Sequence, residues 1–218
     1  MYKILKADKD TYITNRVIKN SSSYNSNVGR AGSLDLFKLY GATLSGSTPN
    51  LELSRLLLHF DMSAINDLYT TGKIDITHSS FWAKLQLSDV YGGQPTPNKY
   101  TLIVNPLSKS FDEGEGRDVV GYSDLDVANF LTASYDNGDI KWILSGCASS
   151  GNPGTSCDYF SGLFQTSQFF STGEEDLNVD ITAAVSGVLA GVLPNSGFRI
   201  AYSSSEEENQ KTYFVKRF

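Results

Sequence analysis

A chain of 218 residues with 18 Lys and Arg against 24 Asp and Glu carries a net charge of −6. That balance argues against a nucleic-acid partner or an anionic membrane surface, both of which need concentrated positive charge. Twelve Tyr, twelve Phe and 19 Gly, beside many Ser, Thr and Asn, suit short strands and long loops better than helices.

The length allows a full core in a single all-β domain. No apolar run approaches the roughly 20 residues that cross a bilayer. Residues 1–8 lack the apolar stretch of a signal peptide, so synthesis and use without Sec export are expected.

In chain order, residues 1–14 predict two short strands broken at Asp8-Lys9-Asp10. The Ser/Asn/Gly-rich stretch 20–32 predicts a surface loop. A strand over 34–39 and a loop over 41–50 lead into the stretch that organises the rest, Ser54-Arg-Leu-Leu-Leu-His-Phe-Asp61 and its flanks. With a period of two, Leu56, Leu58 and Phe60 share one face and Arg55, Leu57 and His59 the other. Apolar residues on both faces predict a strand covered on both sides. Asp61-Met62-Ser63 suits a turn or helix N-cap, and 64–71 one or two helical turns stopped by Gly72.

The cleanest alternation follows: Phe81, Ala83, Leu85 and Leu87 against Trp82, Lys84, Gln86 and Ser88. Gly and Pro make 91–98 a turn, residues 100–104 read as a strand, and 112–118 form an acidic, Gly-containing loop. Residues 122–131 give no clear period. A short strand over 140–144 runs into the loop 146–158, which holds both cysteines. Leu177, Val179 and Ile181 alternate with Asn178, Asp180 and Thr182, and 183–193 turns to a helical period ended by Pro194. Residues 198–202 and 213–218 read as closing strands, separated by a hydrophilic loop over 203–211. Many short strands with one or two small helices predict a β-sandwich, with residues 1–218 as a single domain. Leu56, Leu58, Phe60, Phe81, Leu85, Leu87, Val179 and Ile181 are its expected core.

The segment Ser54 to Ile65 resembles the central motif of the DNRLRE-type domains, a disaggregatase-related group of jelly-roll-like, carbohydrate-binding-module-like domains in which an Arg-Leu-Leu-x-Phe-Asp strand leads into a short helix. Pro106-Leu-Ser-Lys-Ser-Phe-Asp-Glu-Gly114 is similar to that family's Trp-x-Glu-Gly loop. Leu177-Asn-Val-Asp-Ile-Thr182 is similar to its Val-Asp-Val-Thr element, and Asn195-Ser-Gly-Phe198 to its Asn-x-Gly-Phe turn. Phe111 stands where many relatives carry Trp, and the family's final Arg-Pro-x-Leu strand is missing after Phe218. The wording Phe-Asp-Glu-Gly-x-Gly, Thr-Gly-Glu-Glu-Asp-Leu and Tyr-Phe-Val-Lys-Arg-Phe is similar to virion proteins of tailed phages.

Asp112, Glu113, Glu115 and Asp118 are candidate metal ligands, since Ca²⁺ takes several carboxylate and carbonyl oxygens from a flexible loop. The plain alternative is a solvated acidic turn, and no EF-hand spacing is present. A glycosidase needs two carboxyls about 5–9.5 Å apart across a cleft, which no spacing here implies. His59 and His78 are the only histidines, and no Ser/His/Asp arrangement assembles around them. Gly114-Glu-Gly116 lacks the strand–helix context of a phosphate loop. The spacing of Cys147 and Cys157 allows a disulfide worth about 2–3 kcal/mol, whereas cytoplasmic synthesis favours free thiols. Two sulfurs with no nearby His do not make a zinc site. Trp82, Tyr91 and Tyr100 are candidate sugar-stacking aromatics, although packing or interface use is the ordinary role of such rings.

The residues and the resemblance together imply a non-enzymatic structural protein of a phage virion, in the head, neck, tail or a fibre. Its expected fold is all-β, a jelly-roll-like β-sandwich with one or two short helices. It would assemble in the host cytoplasm with other virion proteins, as a homo-oligomer or symmetric assembly, with no nucleic acid, no membrane and no catalytic residues. No cofactor is expected, Ca²⁺ at the acidic loop being the alternative. The competing expectation is a carbohydrate-binding module that attaches a particle or enzyme to a surface glycan. The expected interface is the closing strand, where Tyr213, Val215 and Arg217 share one face and Phe214, Lys216 and Phe218 the other. Without the family's extra strand its edge is open to a partner, unless an internal strand takes that place or Lys216 and Arg217 keep it solvated.

Overall fold

A computed structural model describes residues 2–18, 21–22, 24–40, 51–90, 97–117, 127–135 and 138–218. In chain order the strands begin with β1 (Lys9–Thr14), β2 (Val17–Ile18), β3 (Ser21–Ser22), β4 (Asp35–Tyr40) and β5 (Leu51–His59), followed by helix α1 (Ser63–Thr70). Next come β6 (Lys84–Leu87), β7 (Tyr100–Pro106), β8 (Thr132–Tyr135), β9 (Asp139–Lys141), β10 (Ser150–Gly151) and β11 (Tyr159–Phe160). A 3₁₀ turn at Gly162–Phe164 precedes β12 (Thr166–Phe170) and β13 (Leu177–Asp180). Helix α2 (Thr182–Leu189), β14 (Phe198–Tyr202), helix α3 (Ser204–Glu207) and β15 (Phe214–Arg217) complete the order.

The architecture is an all-β sandwich with short helices. Its main sheet runs β12-β7-β14-β5-β4-β15, with β1 also paired to β5. Three antiparallel partners register on β5: Tyr12 of β1 opposite Leu56, Phe198 of β14 opposite Leu58, and Lys38 of β4 opposite Leu53. Gly197 makes the β14 contact possible. Its φ is +95°, and a Cβ there would lie 2.2 Å from the Leu58 carbonyl oxygen.

The second layer on the inner face is the β6–β13 pair with α2. Two side connections stitch it to the main sheet. The Gln168 side chain acts as a substitute peptide between β12 and β13, donating to the Asp176 carbonyl (2.8 Å) and accepting from the Asn178 N–H (2.7 Å). At the other end the Val90 N–H donates to the Arg217 carbonyl (3.0 Å).

Of the expected core, Leu56, Leu58, Leu85, Val179 and Ile181 are buried together, and Phe60, Phe81 and Leu87 pack half-buried against them. The outer face of β5 has a core of its own, in which Leu57 meets Ile13, Leu107, Phe111, Ala128, Ala133, Trp142 and Cys147. The strand is therefore covered on both sides.

Several local expectations differ from the structure. Residues 2–7 form no strand. The strand expected over 140–144 stops at Lys141, because Trp142 turns inward to donate its indole N–H to the Asn129 carbonyl (2.9 Å). Helix α2 ends at Leu189, where the Val192 and Leu193 N–H groups turn back onto the Gly187 carbonyl (2.8 and 3.0 Å). The hydrophilic stretch 203–211 contains α3, a third helix where one or two were expected. The loop 41–50, Tyr91 and most of the turn 91–98, Asp118, and half of the stretch 122–131 lie outside the described residues.

Candidate functional site

The acidic loop is built around Asn27, which is fully buried. Its side-chain amide donates to the carbonyls of Glu113 (2.7 Å) and Ala128 (2.9 Å), and its carbonyl accepts from the N–H groups of Gly29 (3.1 Å) and Gly116 (2.8 Å). The glycines follow from this approach, since a Cβ on Gly116 would lie 1.8 Å from the Asn27 backbone oxygen. The carboxylates of the loop diverge. Glu113 accepts from the Asp10 N–H (2.7 Å), Glu115 pairs with Arg30 (2.8 Å), and Asp112 accepts from the Tyr135 N–H (3.1 Å). Burial first and Glu113 second hold the Asp10 carboxyl above its ordinary range. Among the described residues no three His, Cys, Asp or Glu side chains group to hold a metal.

The histidines have structural partners: His59 touches Asp8 (2.7 Å) and the Asn195 carbonyl (3.2 Å), and His78 touches Ser80 (2.7 Å). Both cysteines are free and buried. They sit in separate clusters, Cys147 behind β5 and Cys157 with Phe160 and Leu193. Burial pushes the Cys147 thiol up to about 12.

The closing strand β15 ends the sheet path, paired to β4 with Phe214 opposite Lys38 and Lys216 opposite Leu36. Phe218 and Leu34 exchange both backbone hydrogen bonds. By antiparallel alternation, the backbone groups of residues 214, 216 and 218 point to β4 and those of 213, 215 and 217 point outward. Val90 covers the Arg217 carbonyl, while the N–H and C=O of Val215 meet no partner among the described residues.

Lys216 does not solvate this edge. Its ammonium turns inward to Asp89 and to the carbonyls of Gly173 (3.1 Å) and Glu175 (2.8 Å), between the rings of Phe170 and Phe218. Arg217 is forked onto Asp35 (2.6 and 3.2 Å), which raises its pKa. On the outward face Tyr213 is 42 % exposed.

The sugar-stacking candidates separate. Tyr100 is a core residue, 1 % exposed, stacked on Phe170 at 5.0 Å. Trp82 is 54 % exposed, with the Tyr2 ring 6.0 Å away and the Lys84 ammonium 6.0 Å from its centroid. These three stand at the rim of an apolar groove of about 500 Å³ lined by Phe60, Ile65, Leu68, Phe81 and Phe198.

One cluster gave no sequence motif. Behind β5, Arg55 donates from Nε and Nη2 to both oxygens of Glu207 on α3 (3.0 and 2.7 Å) and from Nη1 to the Gly146 carbonyl (2.6 Å). Burial alone would lower the Arg55 pKa, and the bond to Glu207 holds it above its ordinary value. Arg199 lies on the same sheet face, its guanidinium carbon 4.4 Å over the Tyr159 ring. Burial and then the charge of Arg55 lower its pKa. Two buried cations thus share one carboxylate. A desolvated cation–π contact returns about 2 kcal/mol, against several kcal/mol to bury the ion. The available signal was a charged residue inside Phe198-Arg-Ile-Ala-Tyr202, a strand buried at every position.

Set beside known proteins, the chain matches no family model, no curated protein and no solved structure.

Proposed function

We propose that this chain is a non-enzymatic structural protein of a tailed-phage virion, working by contact with other virion proteins or further copies of itself. The observation that carries the reading is β15, an edge strand whose Val215 backbone groups face outward between Tyr213 and Arg217. Val215 backbone groups with no partner among the described residues invite strand addition at that position. The wording of the acidic loop and of the closing strand, similar to phage virion proteins, supplies the setting.

Light scattering coupled to size-exclusion chromatography, on the native chain and on Val215→Pro, tests the contact. Proline removes the outward N–H without touching the bonds to β4. Self-association, or binding to purified particle proteins, should be lost in the folded variant. A native chain that stays monomeric and binds no particle protein sinks the proposal.

A second reading, a carbohydrate-binding module, is favoured by Trp82, Tyr2 and Lys84 at the rim of the apolar groove, since an exposed indole face suits a sugar ring. A glycan array probed with the native chain and Trp82→Ala separates the two: binding that disappears with Trp82 supports the module.

A further inference from the structure

Arg199 sits mid-sheet on the outer face, opposite Leu57 on one side and Asn105 on the other. Only 5 % of its surface is exposed. Among the described residues Arg199 shares the single Glu207 carboxylate with Arg55, which leaves a surplus of one positive charge on this face. Glu207 is held through both oxygens by Arg55. Asp158 is occupied by the N–H groups of Ile143, Leu144 and Ser149 and by Lys109.

Arg199 Nε has no acceptor, and across the strand Asn105 Oδ1 has no donor. A bridging water would satisfy those two dipoles and leave the charge as it is. Tyr159 covers the face of the guanidinium, so an acceptor must come to its N–H edge, the direction in which guanidinium groups bind oxyanions.

We infer that Arg199, with Tyr159 covering the face of its guanidinium, forms a binding site for a singly charged carboxylate. One such group cancels the surplus charge. A phosphate near two negative charges would overcompensate, beside Asn105 Oδ1 and Glu207. The carboxylate comes either from a small free molecule or from an acidic side chain of another copy. The inference does not rest on the assembly role proposed above.

The test compares thermal unfolding of the full chain in sodium acetate and in sodium chloride at equal ionic strength. Acetate should raise Tm by about 3 °C at concentrations well above its Kd, and phosphate by less. Arg199→Met should melt in chloride no lower than the native chain, since replacing an unpaired buried ion removes its burial cost, and should show no acetate response. If that variant does not fold, nitrogen-15 spectra of the native chain serve instead. A slowly exchanging arginine Nε–H resonance should then move with acetate and not with chloride.

Light scattering distinguishes the sources. Acetate that breaks up a self-associated form assigns the carboxylate to a second copy, and a Tm rise on a monomer assigns it to a free molecule. Equal melting in the two salts with an unmoved resonance, an acetate response that survives Arg199→Met, or a larger response to phosphate overturns the inference.

Discussion

Along β5, Leu56 and Leu58 face β6, β13 and α2, whereas Leu57 and Arg55 face the loops on the other side of the sheet. On the inner side the cover is regular structure, whose backbone groups are already paired, and apolar burial at about 1.5–3 kcal/mol per large side chain suffices. On the outer side the cover is irregular chain, and each buried N–H and C=O there needs its own partner. Asn27, Asn129 and Asp158, all buried, supply those partners, each to several backbone groups. The contrast teaches that buried polar residues behind β5 are the ordinary means of closing a loop layer. Against that background Arg199 stands out, because it closes nothing.

Truncation on either side of the strand tests whether both layers are real cores. Leu58→Ala should cost about 2–5 kcal/mol in urea unfolding, and Leu57→Ala an amount in the same range. A loss under about 1 kcal/mol for Leu57→Ala alone would reduce the outer layer to a loose cover. Asn27→Ala comes next at about 3 kcal/mol, because it strands buried backbone groups on two loops at once. An inner-face substitution that removes one hydroxyl should cost less.

The smallest effect near neutral pH, growing only above pH 9, is a pH dependence confined to the outer layer. The Cys147 thiol is raised to about 12 by burial, from its usual value near 9. Its contribution to stability is therefore full below pH 9 and is lost as pH rises from about 9 towards 12, by at most about 1.4 kcal/mol per pH unit. Alkaline unfolding of the native chain should be steeper than that of Cys147→Ala. Equal slopes would mean that the thiol is open to solvent.

The inner layer was legible in the sequence, since a two-sided strand at Leu56–Leu58 and the alternation from Phe81 to Leu87 are local patterns. The outer layer was not. Arg55 and Glu207 meet across 152 positions, and Asn27 and Gly116 across 89. No period in the sequence records such pairings. Asn27 lies in a stretch that reads as a plain Ser/Asn/Gly loop, and the carboxylates of the acidic loop stand out in the sequence more than the glycines that pack closely against Asn27. Lys216 reads as a surface charge on an edge strand, yet the carbonyls of Gly173 and Glu175 and Asp89 draw it inward. The division of the closing strand into a more buried set, Phe214, Lys216 and Phe218, and a less buried one, Tyr213, Val215 and Arg217, did follow from alternation alone.

The place of β14 between β7 and β5 also sets an order of events for the growing chain. Its partners on β5 lie some 140 positions earlier, with Phe198 opposite Leu58 and Ile200 opposite Leu56. Until residue 202 leaves the ribosome, β5 and β7 cannot be joined, and each shows a bare edge to solvent. Synthesis at about 5–20 residues per second makes that interval about 5–20 s for the roughly 100 residues from the end of β7 to the end of β14. A nascent chain stalled before Phe198 would carry two half-sheets ready to pair with neighbours. A slower passage through this interval leaves those edges exposed for longer, whatever the stability of the finished fold.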